Sequence, residues 1–246
     1  MSDTIVWVHG FPLAASLFAR QRRITGVGHL APDLPGFGTA PPLEGKASME
    51  AYAREVLRAM DAAEIERATL AGVSMGGYVL FALLRIAPER VRRLILIDTR
   101  ETADTQDGRK GRYDMIEKVG SGGAQAVVDA MLPKMLTKDA ALEIVDEVRS
   151  IMSEATPAGI VAALDAMAER GDCAAMLPRI AVPTLVVVGA DDPITPPADA
   201  ERMAAAIPHA SLEIIAGAAH LPNVQQSGAF NAAVERFLSA SSGSVR

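Results

Sequence analysis

The sequence is poor in cysteine and lacks both long apolar runs and dense blocks of basic residues. Cys173 is its single cysteine, which excludes an intramolecular disulfide and any cysteine-based metal cluster. No run of about 18 apolar residues occurs, so we expect no segment that spans a bilayer. The net charge is −6 at pH 7, and lysine and arginine are not clustered, which argues against nucleic acid or a membrane as partner.

Targeting and cofactor signals are also missing. The first residues, MSDTIVWVHGFP, do not combine a basic stretch with a long apolar one, so no signal peptide is predicted and a cytoplasmic location is expected. No metal-binding motif is visible, and we expect neither a metal nor another cofactor. Half of the 246 residues are hydrophobic, which is enough for a large globular core.

Short runs of β-branched and aliphatic residues alternate with segments of helical periodicity. Several runs are almost continuously apolar, as is typical of strands buried on both faces of a parallel sheet. The alternation predicts right-handed crossovers and a three-layer α/β domain. The predicted strands are 4–10, 26–33, 68–73, 91–98, 183–190 and 210–216, and the helices between them are at about 14–23, 48–63, 75–87, 198–206 and 226–240.

One interval, from about 100 to 178, contains no convincing strand. Its segments have helical spacing, and Thr156-Pro157 is a typical helix start, with Thr156 as the cap and Pro157 in the first turn. Long insertions in compact domains are usually functional. We therefore predict a helical cap at 100–178, inserted into a core formed by 1–99 and 179–246. The alternative is an enlarged crossover that covers nothing.

The segment GVSMG, residues 72–76, lies at the junction of a predicted strand and a predicted helix. It matches G-x-S-x-G, the nucleophile elbow, in which a sharp turn pushes the serine beyond the sheet. Ser74 would then be the nucleophile, and the Met75 N–H could point at a developing oxyanion. A second N–H, that of Phe11 in the HGFP loop, could complete an oxyanion hole. In that loop, His9 is expected to support the backbone rather than act as a base.

A serine nucleophile needs a base, and the base needs an acid to orient it. Among the four histidines, His220 follows the last predicted strand, so it lies at the same sheet edge as Ser74. Three acids reach this edge: Asp191 and Asp192 follow the fifth predicted strand, and Asp98 ends the fourth. The chain order serine, aspartate, histidine is the one found in proteins with this elbow.

Taken together, these motifs resemble those of the α/β-hydrolase superfamily along nearly the whole chain. Within it, the sequence is most similar to small carboxylesterases and to 3-oxoadipate enol-lactonase-like hydrolases. The residues that carry the resemblance are HGFP (9–12), DLPGFG (33–38), GVSMGG (72–77), GADDPITP (189–196) and His220.

The resemblance implies a role for each site residue and a shape for the sheet. It makes Ser74 the nucleophile, His220 the base and Asp192 the acid, with Asp191 as the reserve acid. The oxyanion donors are the backbone amides of Phe11 and Met75. Two strands usually precede the HGFP loop, and there is no room for them here, so we expect about six strands, all parallel. Their loss would expose strand 26–33 as an edge, blunted or paired with another chain in a homo-oligomer.

A serine at the elbow argues against dehalogenases and epoxide hydrolases, for which the resemblance would place an aspartate there. We predict a carboxylesterase-type serine hydrolase that cleaves esters of small to medium acyl chains through an acyl-enzyme. A lactonase would use the same groups in a pocket of another shape, and a perhydrolase is a further alternative. A small-molecule receptor that retains the triad is a different class, which sustained turnover would exclude.

Overall fold

The computed structural model describes residues 3–242, in which six strands form one sheet. The strands are β1 Thr4–Val8, β2 Gly28–Leu30, β3 Ala68–Val73, β4 Val91–Ile97, β5 Thr184–Gly189 and β6 Ala210–Ile215. Their order across the sheet is β2-β1-β3-β4-β5-β6, and every neighbouring pair is parallel. The prediction of six parallel strands is confirmed, and β2 is an edge strand of only three residues.

Helices cover both faces of the sheet. They are α1 Met49–Ala62, α2 Met75–Ile86, α3 Gln106–Gly122, α4 Gln125–Met135, α5 Leu142–Met152, α6 Pro157–Ala168, α7 Pro197–Ala206, α8 Pro222–Gln225 and α9 Ser227–Ser242. None of these described helices combines the length and the apolar character that a membrane crossing requires.

Two apolar clusters, one on each face, hold the layers together because strand side chains point alternately to opposite sides. On one face Val6 packs in a cluster with Phe81 of α2. On the other face Trp7 packs with Phe230 of α9, with their ring centroids 6.5 Å apart. β3 and β5 are buried along their whole length, as their continuous apolar sequences predict.

Helices α3–α6 lie between β4 and β5 in the chain, as predicted, and contribute side chains to both clusters. The predicted start of α6 is also confirmed. The hydroxyl oxygen of Thr156 accepts a hydrogen bond of 3.0 Å from the Gly159 N–H, and Pro157 is the first helical residue. Capping of this kind satisfies an N–H group that has no partner within the helix.

The segment 14–23 is not the helix that its periodicity predicts; it forms two short 3-10 turns. Its buried Gln21 donates from Nε2 to the Asn223 carbonyl (2.9 Å) and to Oδ1 of Asn231 (3.0 Å). These bonds reach residues more than 200 positions away, so tertiary contacts override the local helical preference here.

Candidate active site

Ser74 has a strained backbone conformation between β3 and α2. Its φ of 53° and ψ of −113° lie outside the regions that non-glycine residues usually adopt. Its N–H donates to the Ile97 carbonyl (2.8 Å), and its own carbonyl accepts from the Gly77 N–H (2.9 Å) and the Thr99 hydroxyl (2.8 Å). Hydrogen bonds on both sides of the residue therefore hold the turn at the carboxyl edge of the sheet.

Two glycines beside Ser74 are required by close backbone contacts. A Cβ on Gly72 would lie 2.6 Å from the carbonyl carbon of Gly76. A Cβ on Gly76 would lie 2.1 Å from the carbonyl oxygen of Val8, at the end of β1. A larger residue at either position would push the elbow away from the strands, which is the reason for the glycines in this motif.

The loop after β1 lies directly against the elbow. A Cβ on Gly10 would lie 2.9 Å from the Val73 carbonyl oxygen and 3.1 Å from the Cβ of Ser74. Phe11 is the next residue and is buried, and Met75 is the first residue of α2. The loop and the helix start therefore meet beside Ser74.

His9 supports this loop and is not available as a base. Its Nδ1 donates to the Gly10 carbonyl (3.0 Å), and its Nε2 accepts from the Leu34 N–H (2.9 Å). Burial, partly offset by the bond to Gly10, lowers the pKa of His9 to about 4. The imidazole is therefore neutral at pH 7, with both nitrogens engaged by the backbone.

His220 and Asp192 form a buried hydrogen-bonded pair. Nδ1 of His220 donates to Oδ2 of Asp192 at 2.8 Å, and the two side chains are 1% and 0% exposed. This bond places the proton on Nδ1, so Nε2 is the basic nitrogen. Nε2 is buried and has no hydrogen-bond partner among the described residues. Asp191, the reserve acid in the sequence prediction, is exposed.

Asp192 also accepts hydrogen bonds within its own loop. Its Oδ1 accepts from the Ile194 N–H (2.8 Å), and its Oδ2 accepts from the Thr195 hydroxyl (2.6 Å). Burial opposes ionisation of Asp192, but the bonds from His220 and Thr195 outweigh it and hold its pKa below the ordinary value. The sequence analysis does not identify Thr195, which lies in the same loop three residues after Asp192.

A close contact between loops brings His220 over the end of β5. A Cβ on Gly189 would lie only 1.9 Å from the Ala219 carbonyl oxygen. Asp98 follows β4 and accepts a 2.9 Å hydrogen bond from the Gly189 N–H through Oδ1. One side-chain oxygen or nitrogen of each of Asp98, Asp192 and His220 lies within 4.8 Å of the other two. Asp98 is thus part of the same buried cluster.

Known proteins are similar to this chain in sequence and in architecture. The model of the alpha/beta hydrolase family matches residues 5–233. The chain belongs to that family. It is 30% identical over 204 residues to 3-oxoadipate enol-lactonase 2 of Acinetobacter baylyi, an alignment that covers 82% of this chain and 75% of the relative.

Solved structures of an esterase and of an enol-lactonase are similar to this hydrolase. A thermophilic esterase from Thermogutta terrifontis, solved with malate bound, is 33% identical and superposes with a TM-score of 0.93 over 98% of this chain and 90% of that chain. The enol-lactonase from Burkholderia xenovorans is 27% identical, with a TM-score of 0.88 over 97% and 92% of the two chains. The predicted resemblance to esterases and enol-lactonases is therefore confirmed.

The cluster of this hydrolase consists of side chains that metals also use, namely two carboxylates and an imidazole. Both oxygens of Asp192 already accept hydrogen bonds, and Nδ1 of His220 is one of the donors. A metal ion at Asp192 would have to replace these bonds. The arrangement suits proton transfer at Nε2 of His220, and we assign no metal to it.

Proposed function

We propose that this chain is a serine hydrolase of carboxylic esters, with Ser74 as nucleophile, His220 as general base and Asp192 as the acid that orients it. The observation that carries the proposal is the buried His220–Asp192 hydrogen bond, at the sheet edge where Ser74 lies on a strained turn. That bond leaves Nε2 unprotonated, and no described residue occupies it, so Nε2 is free to take up a hydroxyl proton. Similarity to proteins named as an esterase and as enol-lactonases supports it.

The reaction has two acyl-transfer steps. Oγ of Ser74 attacks the ester carbonyl carbon while its proton passes to Nε2 of His220, and the Asp192 carboxylate stabilises the imidazolium. The N–H groups of Phe11 and Met75 face the tetrahedral oxyanion. The intermediate collapses, the alcohol leaves with the proton from Nε2, and an acyl-enzyme remains. A water molecule then repeats the sequence, releases the carboxylic acid and restores Ser74.

We also propose that residues 100–178 form a cap on the core formed by 1–99 and 179–246. Helices α3–α6 connect the end of β4 to β5, so the insertion departs from the sheet edge that carries Ser74. A cap in this position would line the acyl side of the pocket and set the preferred chain length. Substitutions on its pocket side should change the chain-length profile, and an unchanged profile across several such variants would contradict this role.

The test of the esterase proposal is steady-state hydrolysis of p-nitrophenyl esters from acetyl to decanoyl. We expect sustained turnover, with an optimum at small to medium chains, and a loss of several orders of magnitude in kcat for Ser74→Ala. Ser211→Ala, which removes an exposed hydroxyl on β6, is the matched control and should behave as the wild type. A single burst, or equal rates for Ser74→Ala and the wild type, would reject the proposal.

Lactone hydrolysis is the second candidate, and the observation in its favour is the similarity to two proteins named as enol-lactonases. Ring opening uses the same attack by Ser74, but the leaving oxygen stays attached to the acyl group. The decisive comparison is kcat/KM for a lactone and for the open-chain ester of the same hydroxy acid. A higher value for the lactone would make ester cleavage the side activity, and both activities should disappear in Ser74→Ala.

A further inference from the structure

Asp98 is a buried acid that the proposed mechanism does not use. It is 1% exposed and has a φ of 41°, which is strained for a residue other than glycine. Its backbone N–H donates to the Val187 carbonyl (2.9 Å), and its Oδ1 accepts from the Gly189 N–H (2.9 Å). Two bonds thus attach Asp98 to β5, the strand that leads into the Asp192 loop.

Ionisation of both Asp98 and Asp192 is unfavourable. Two buried carboxyl groups at this distance repel each other when both are charged, so the negative charge resides on the better-solvated one. Asp192 has hydrogen-bond donors on both oxygens. Asp98 has the Gly189 N–H on Oδ1, whereas its buried Oδ2 has no hydrogen-bond partner among the described residues. The charge therefore belongs to Asp192 and the proton to Asp98.

The electrostatics of the cluster agree with this assignment. Burial, reinforced by the neighbouring Asp192 carboxylate, raises the pKa of Asp98 well above its ordinary value. The charged groups that the described structure places against Asp98 are Asp192 and, through the same cluster, His220. A neutral carboxylic acid offers one O–H donor, and the neighbouring Asp192 carboxylate can accept it.

We propose that Asp98 is a protonated positioning residue whose Oδ2–H donates to the carboxylate of Asp192. This inference rests on the proposed function, because Asp98 would affect the base, His220, only through the acid, Asp192. The bond adds a fixed point to the Asp192 loop and keeps the carboxylate turned towards His220.

Two substitutions distinguish this role from that of an ionised acid. Asp98→Asn keeps an acceptor for the Gly189 N–H and an N–H donor for Asp192, so kcat/KM and the acidic limb of its pH profile should stay close to the wild type. Asp98→Ala removes the donor, and kcat should fall about 10- to 100-fold, the effect of losing a hydrogen bond to a charged group. If Asp98 were ionised, Asp98→Asn would remove a negative charge beside His220 and move the acidic limb to lower pH.

The experiment combines pH–rate profiles of kcat/KM with infrared difference spectra of the wild type and Asp98→Asn at pH 7. We expect superimposable acidic limbs and a carboxylic-acid C=O band that only Asp98→Asn lacks. Asp139→Asn, which removes an exposed acid, is the control and should keep the band. A displaced limb, or no such band in the wild type, would overturn the inference. The infrared result does not need turnover, so absence of esterase activity would reject the proposed function without deciding the state of Asp98.

Discussion

The carboxyl edge of the sheet and the insertion, residues 100–178, are held in different ways. At the edge, short side chains and backbone groups bond to each other out of contact with solvent, as Asp98 does with Gly189 and Thr195 with Asp192. The insertion contacts the start of the chain through longer and more exposed side chains. Ser16 donates to Glu154 (2.9 Å), and Nη2 of Arg20 donates to Glu147 (2.6 Å).

The contact of the insertion with the Gly36 carbonyl does resemble those at the edge. The N–H and hydroxyl of Thr156 both donate to the Gly36 carbonyl at 3.0 Å, and a Cβ on Gly159 would lie 2.3 Å from the same oxygen. Elsewhere, exposed polar pairs contribute little, because solvent screens them. The difference teaches that the residues of the proposed triad are held by buried hydrogen bonds, whereas the polar contacts between the insertion and the start of the chain are mostly more exposed.

Asp192→Asn should have the largest effect at the edge. The amide would present an N–H to Nδ1 of His220 and favour the tautomer with the proton on Nε2, which cannot accept the Ser74 proton. We expect kcat to fall roughly 10³- to 10⁴-fold with little change in the fold. Steady-state kinetics of Asp192→Asn and Asp191→Asn test this. The reverse pattern, with a large loss in Asp191→Asn and none in Asp192→Asn, would assign the acid to Asp191.

The sequence predicts the strongly patterned parts of the molecule. It does not predict the parts whose conformation depends on long-range contacts. The continuous apolar runs of β3 and β5 identify buried parallel strands, and the elbow motif with the following acid and histidine identifies residues that meet at one edge. The helix predicted at 14–23 is wrong because Gln21 bonds to residues far along the chain. The protonation of Asp98 depends on a distance to Asp192 that no local pattern encodes.

Acid should lower the free energy of unfolding through His9, which lies at this edge. Burial lowers the pKa of His9 to about 4 from 6.5, so below pH 6.5 the unfolded chain binds a proton that the folded chain binds only near pH 4. The free energy of unfolding is therefore not reduced by His9 above pH 6.5. It falls by about 3 kcal/mol as the pH is lowered from 6.5 to 4. Denaturant unfolding at pH 7 and pH 4 should show a smaller loss for His9→Gln than for the wild type.

An NMR titration of the wild-type imidazoles gives an independent check of this prediction if His9→Gln does not fold. The His9 signal should shift only as the pH falls towards 4, because its ring is completely buried. A His9 midpoint near 6.5 would show that burial does not hold the ring neutral. The acid sensitivity of the edge would then have another origin.

The smallest effect is expected for Thr156→Ala, in the insertion. This change removes the cap of α6 and the hydroxyl bond to the Gly36 carbonyl, which should lower the free energy of unfolding by about 1 kcal/mol. Thr156→Ser keeps the hydroxyl and is the matched control. Because neither variant touches the buried cluster of Asp98, Asp192 and His220, kcat for p-nitrophenyl acetate should be nearly unchanged in both. A loss of kcat in Thr156→Ala comparable to that in Asp192→Asn would show that the conformations of the insertion and the edge are coupled.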